Sequence, residues 1–292
     1  MGFFSKLRYA PRAFRARAAA VRRGAPGLEI DSAGRRLGVR LALRLDRHGV
    51  ELLVHPIDST RYFEFAFAAA AVPEKARSCL DVSSPRLFSL WLANRNREVE
   101  IDLINPDAGD LDRTRKTVRR LGLSNVRCRP IAVDALDAGR RFDAIWSISV
   151  VEHIPGDGDT AAVRRLHDAL HTGAPLVLTV PVARAFRDEH RENDEYGLLA
   201  PEAQGRYFFQ HVYDERALHD RIVAVAPWAK VETRWYGERE PGTWRRFEER
   251  WIREGFPAIV EDARFVAEQF QEYPSFAAMP GDGVCGLVLT RG

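Results

Sequence analysis

Between residues 77 and 181 the chain alternates short apolar runs with longer amphipathic ones, and this rhythm restricts the fold more than any other feature. The runs at 79–82, 99–104, 126–133, 142–151 and 175–180 read as strands. The stretches at 87–93, 110–121 and 160–171 carry apolar residues at helical spacing. Pro85 suits a first helical turn, while Gly122 and Gly173 read as helix stops. Residues 142–151 are nearly all apolar apart from serines, as expected of a strand buried on both faces. A helix at about 214–225 and strands at 230–236 and 284–290 complete the series. Such alternation predicts an α/β fold with a doubly wound, mostly parallel sheet.

The flanking segments behave differently. In residues 36–56, Leu37, Val39, Leu41 and Leu43 alternate with small or polar residues, and Asp46-Arg47-His48-Gly49 is a turn signal; the pattern predicts a β-hairpin. Asp58-Ser59-Thr60 then caps a helix over 61–71, ended by Pro73. Residues 1–24 hold seven basic side chains and no acid, which leaves −4 of the chain's net +3 for the remainder. Phe3, Leu7, Ala10, Phe14 and Val21 share one helical face there, and a helix is expected from Pro11 to Arg22. Three uses of this segment stand open: peripheral contact with an anionic membrane, packing on the body, or a mobile tail. The chain thus divides into a basic amphipathic segment (1–24), an N-terminal hairpin and helix (25–73), and a main domain (74–292).

Composition excludes several classes. With 46% hydrophobic residues in 292, a sizeable core is available. No apolar run approaches the roughly 18 residues of a membrane span. No secretory signal is read in the first 25 residues. Cys79, Cys128 and Cys285 are far apart and form no CxxC pair, so neither a disulfide framework nor a structural zinc or other metal site is expected. A cytoplasmic location fits, with membrane association possible through the basic segment. The acidic body argues against a nucleic-acid partner.

In an open α/β sheet, ligands bind beyond the carboxyl ends of the strands, near the switch point. The candidate positions are therefore the run ends. Cys79-Leu80-Asp81-Val82 looks like a "VLDxG" strand. Asn125-Val126-Arg127 followed by Val133-Asp134-Ala135 looks like "NVxF…xDA". Arg141-Phe142-Asp143-Ala144-Ile145 leads to Val151-Glu152-His153-Ile154 as in "FDxVxxxxxxEHI". Leu170-His171-Thr172-Gly173-Ala174-Pro175-Leu176, closed by Pro181, looks like "LxPGGxLxLTVP". In this order, across 77–181, the four pieces resemble the class I S-adenosylmethionine-dependent methyltransferases.

The resemblance implies a Rossmann-like, seven-stranded sheet in which 230–236 and 284–290 are the antiparallel sixth and seventh strands, with a long insertion at 237–283 between them. It implies S-adenosylmethionine as cofactor and in-line methyl transfer to a hydroxyl or amine of a small-molecule, glycan or lipid-type substrate. Asp81 would organise the first loop and the cofactor amine, together with Ser83 and Ser84. Asp102 is the favoured ribose ligand, with Asn105 second. Asp134 would accept from the adenine amino group and Ala135 would supply an amide. Ser149 ends the fourth strand beside them, and Tyr62 would cover the cofactor. One departure stands out: the family's Gly-rich first loop is Ser83-Ser84-Pro85-Arg86 here.

For a base, His153 just past the fourth strand comes first, with Asp188, His190, Tyr196 and His211 as further candidates. The charged stretch 184–195 reads as a loop, either a lid or a solvated segment. His167 and His171 sit at i and i+4 like part of an HExxH helix, but Asp168 stands where the Glu would be, and exposed helix-face histidines are the better reading. A nicotinamide enzyme wants GxGxxG after the first strand, which is absent. A non-catalytic cofactor- or partner-binding module on the same fold is the alternative.

Overall fold

A computed structural model describes residues 6–44, 46–194, 196–202 and 204–292. Its centre is an eight-stranded sheet of β1 (Ser78–Val82), β2 (Glu100–Ile104), β3 (Val126–Arg129), β4 (Ala144–Ile148), β5 (Pro175–Val182), β8 (Trp228–Glu238), β9 (Phe270–Tyr273) and β10 (Gly283–Arg291). The order is β3-β2-β1-β4-β5-β10-β8-β9, and the first five strands are parallel. The side chains of β4 alternate: Ala144, Trp146 and Ile148 enter one core and Ile145 the other. Both faces are buried, which is why β4 and β5 read as continuous apolar runs.

Two details differ from expectation. The sheet has eight strands rather than seven, because the insertion contributes β9 at the edge. Only β10 of the final pair is antiparallel to β5. β8 is antiparallel to β10 and so points the same way as the parallel five.

The hairpin expected at 36–56 is two helices, α2 (Leu28–Ala42) and α3 (Arg47–Val54). Leu37 and Leu41 are buried four residues apart, in line with Ile30, Ala33 and Gly34, whereas Val39 and Leu43 face solvent. The period of two arose from exposed apolar residues interleaved with a helical core stripe. Asp46 does not open a hairpin turn; its carboxylate accepts the His48 amide at 3.0 Å as a helix cap. Gly38 and Gly49 let the two helices touch backbone to backbone: a Cβ on either would lie within 2.5 Å of the other helix.

The helix at the N-terminus, α1 (Ala10–Arg22), buries Ala13, Ala16, Ala19 and Ala20. Arg12 pairs with Glu261 at 2.7 Å and Arg17 with the buried Asp31 at 2.7 Å, so the segment packs on the body. Phe3 lies outside the described residues. α4 (Arg61–Ala71) has the expected bounds and contacts β4, β5 and β10. The remaining helices of the parallel half are α5 (Leu87–Arg95), α6 (Ala108–Leu121) and α7 (Gly158–Asp168). His167 is buried against Trp228 at 4.8 Å rather than exposed.

Part of the charged stretch read as a loop is a strand. β6 (Arg187–Arg191) pairs with β7 (Tyr207–Val212) in a separate two-stranded ribbon above the end of β5. Glu195 lies outside the described residues. The insertion folds as α9 (Thr243–Glu254), α10 (Phe256–Ile259), α11 (Asp262–Gln269) and β9, after a short helix α8 (Glu215–Leu218). α11 packs along α1.

Candidate active site

Two adjoining cavities, about 680 and 700 Å³, open at the carboxyl ends of β1–β4, where the strand order reverses. They share Ser83, Pro106, Val150, His153, Ile154, Tyr196 and Leu198. Their size suits a nucleoside-sized ligand plus a small acceptor.

The first cavity has apolar walls from Ile131, Val133, Ile154, Pro155 and Ala162. Asp134 enters it from the turn Val133–Ala135 that follows β3, and its carboxylate has no partner among the described residues. An apolar slot with one acceptor at its rim fits a flat base bearing an amino group. Ala135 is exposed in the same turn.

The floor is made by the loop after β1. Asp81 is fully buried; it accepts the Ser84 amide at 2.9 Å and the Ser89 hydroxyl. Burial pushes its carboxyl up to about 6, against the pull of those hydrogen bonds. The Ser84 hydroxyl accepts the Ile148 amide at 2.9 Å, which ties the loop to β4. Ser83 sits at φ +54°, the left-handed region that glycine occupies most easily, and its hydroxyl donates to the Ile104 carbonyl at 3.0 Å. Thus the loop keeps the backbone shape that glycine would supply. Ser83→Gly should change stability by less than about 1 kcal/mol, whereas Ser83→Val should cost about 2 kcal/mol, since a β-branched residue there is a steric outlier. Thermal unfolding of both variants checks this. Of the other described non-glycine residues with positive φ, Ser149 lines the second cavity, whereas Ser59 is buried with its amide on Asp262.

The second cavity is bounded by Asn105, Asp110 and Arg86 on one side and by His48, His55 and Arg61 on the other. Asn105, not Asp102, follows the end of β2. Asp102 is mid-strand, paired in register with Leu80 and held by Arg140 at 2.5 Å, so it does not line either cavity. The Asn105 amide donates to Asp110 at 3.2 Å, and Asp110 also pairs with Arg86. Tyr62 likewise lines neither cavity: it is buried and donates to Asp31 at 3.1 Å.

His153 stands at the junction. Its Nδ1 lies 2.6 Å from the Phe209 carbonyl and its Nε2 3.2 Å from the Tyr196 hydroxyl. A carbonyl only accepts, so Nδ1 carries the proton and Nε2 the lone pair. Burial pushes this imidazole down to about 4, with Arg61 and Arg191 adding to the effect and Phe209 opposing it. Tyr196 and His153 are therefore together. His190 and His211 are not: His190 pairs with Glu202 at 3.0 Å and His211 with Asp188 at 2.7 Å, both on the ribbon outside the cavity walls.

Three more residues had no role assigned from the sequence: Arg61 lines the second cavity, while Glu64 and Glu152 are buried and line neither. Glu64 of α4 is buried, and its carboxylate accepts from Thr60 at 2.8 Å, Ser149 at 2.5 Å and Thr179 at 2.8 Å. Glu152 is buried; burial, and then the charge of Glu64, hold its carboxyl well above the usual range. Burial works against the Arg61 charge, but Asp58 and Glu64 raise its pKa above the ordinary value. Glu152 was visible in the quoted motif; Glu64 and Arg61 lie in a helix with no local signal.

No family model matches the chain, and no curated protein matches it in sequence. Solved structures do match in shape. Coclaurine N-methyltransferase, bound to N-methylheliamine and SAH, aligns at TM-score 0.50 and 11% identity over 77% of this chain and 68% of that one. The [4+2]-cyclase SpnF aligns at TM-score 0.50 and 16% identity over 78% of this chain and 80% of that one. With the strand order and the position of the cavities, these likenesses show that the chain has the class I S-adenosylmethionine-dependent methyltransferase fold.

Proposed function

We propose that the joined cavities bind S-adenosylmethionine and a small acceptor, and that the protein transfers methyl to a hydroxyl or amine of that acceptor. The carrying observation is the pairing of Asp134, without a partner among the described residues at the rim of an apolar slot, with a neutral His153 at the junction of the two cavities. The residues fit the cofactor. Asp134 would accept from the adenine amino group. Asn105 and Asp110 would face the ribose hydroxyls. The left-handed Ser83 brings backbone amides to the methionine end, beside the start of α5.

The bound cofactor supplies an electrophilic sulfonium methyl, open to in-line attack. The protein's part is chiefly alignment, which can supply as much as about 7–11 kcal/mol of barrier reduction. His153 Nε2 would take the proton from the acceptor, directly or through Tyr196, contributing roughly 10²–10⁴-fold. Coclaurine N-methyltransferase carries an amine-methylating name on this fold, which supports the class of chemistry but not the acceptor.

Titration calorimetry with S-adenosylmethionine and S-adenosylhomocysteine tests the reading. Wild-type protein should bind both, and Asp134→Ala should weaken both by at least roughly tenfold, the loss of a hydrogen bond to a charged acceptor. Absence of binding to either would end the methyltransferase reading. A second reading, binding without methyl transfer, is favoured by the cyclase name of one structural neighbour. Binding with no turnover across hydroxyl and amine acceptors would support it.

A further inference from the structure

We infer that the outward face of α1 and α2 docks the protein on an anionic lipid surface. The inference is independent of the methyl-transfer reading.

The inner faces of both helices are already used. α1 buries its alanines, and α2 buries Ile30, Leu37 and Leu41. The Arg17 guanidinium reaches Asp31 and Ser32, each at 2.7 Å, and Arg35 lies over the Phe14 ring at 5.2 Å. These contacts hold the helices side by side. A docked helix of this kind normally shows a polar outer face. Here the outer face carries Phe14, Val21, Val39 and Leu43, exposed by 47, 48, 44 and 81%. These are four of the nine large apolar side chains exposed among the described residues, gathered on two adjacent helices. Scattered single residues would need no explanation; a group does.

Between them stand arginines. Arg15, Arg22, Arg36 and Arg44 are exposed and have no carboxylate partner among the described residues. The one exposed carboxylate of residues 8–44, Glu29, is already paired with Arg95 at 2.7 Å. Residues 1–44 hold 11 basic and 2 acidic side chains, a net +9 that leaves −6 of the chain's +3 on the other 248 residues. An anionic surface therefore attracts this face and repels the rest, which sets one orientation.

The apolar residues select the partner. Nucleic acid is held by cations and by aromatic stacking, for which Val21, Val39 and Leu43 offer nothing. Aliphatic and phenyl side chains among arginines instead suit the boundary between headgroups and acyl chains. No helix among the described residues is long and apolar enough to cross a membrane, so the contact is peripheral.

Sedimentation of the full chain with vesicles tests this. Vesicles of phosphatidylcholine with about 30 mol % phosphatidylglycerol should bind at least roughly tenfold tighter than phosphatidylcholine alone, and binding should fall from about 0.1 to about 0.5 M salt. Arg36→Glu with Arg44→Glu should weaken binding roughly tenfold or more. Phe14→Ser with Leu43→Ser should weaken it by a similar factor and leave the salt dependence in place. All four positions are exposed, and melting curves confirm the fold of each variant; Arg15→Glu with Val21→Ser is an independent pair. No preference for anionic vesicles overturns the proposal. So does binding that ignores the apolar pair, or equal binding to duplex DNA, which would mark a general polyanion site.

Discussion

Replacement of His153 by Gln is expected to lower kcat by at least about 100-fold while cofactor affinity changes by no more than a few-fold. The argument starts from the tautomer. The Phe209 carbonyl holds the Nδ1 proton, so Nε2 is available as a base at the junction of the cavities. Its pKa of about 4 keeps the ring neutral at physiological pH. Such a weak base can act when the proton leaves as the methyl arrives, because the acceptor becomes far more acidic in that transition state. On the proposed reading Asp134, which lines the first cavity, would hold the adenine end in both proteins, so affinity should survive. Single-turnover kinetics and calorimetry separate the two effects. Unchanged kcat would leave His153 as a structural histidine.

The same residue has a pH signature. A histidine with a lowered folded pKa binds fewer protons folded than unfolded between pH 4 and 6.5, so its contribution to stability is full above about 6.5 and is lost as pH falls toward 4. The full loss is about 3 kcal/mol from the size of the shift. Asp81 and Asp262, both raised to about 6 mainly by burial, act the other way: they favour folding as pH falls through 6. The His153 part is therefore read as the difference between wild type and His153→Gln. Urea unfolding at neutral and acidic pH should show wild type losing stability relative to the variant. A constant difference would contradict the depressed pKa.

Glu64→Ala should destabilise the protein by about 3–5 kcal/mol, with a fall in Tm on the order of 10 °C. Glu64 carries three hydroxyl donors, from its own helix, from the end of β4 and from β5. Without it, Thr60, Ser149 and Thr179 lose a charged acceptor in a buried place. Arg61 loses a counter-charge, and the left-handed Ser149 loses the bond that holds it. Glu64→Gln keeps an acceptor and should cost less than half as much. Calorimetric melts of the two variants check the order. Equal effects would mean that packing, not the carboxylate, is what matters here.

The parallel half of the fold was legible because its signals are local. Strands buried on both faces must be apolar throughout, and Gly122 ends α6 at φ +67°, as its residue type suggests. Asp134 was legible for the same reason, since a strand end and its following turn lie within a few residues. The hairpin was misread because Val39 and Leu43, exposed on a helix, mimic the inward side of a strand. Asp102 was misplaced because the strand ends at Ile104, and a shift of register by two or three residues is invisible in a run of mixed polarity.

Local pattern alone settled the alternation of strand and helix, the order of the strand ends, and the presence of His153 and Asp134 among them. Tertiary structure alone decided that Glu64 meets Ser149 across 85 residues of chain, that His211 and His190 turn away from the cavities, and that the basic N-terminal helix lies on the body with arginines and apolar groups outward. The division has a physical cause. Periodicity and turn chemistry act within a few residues, whereas which buried carboxylate satisfies which hydroxyl depends on distant segments brought together by packing.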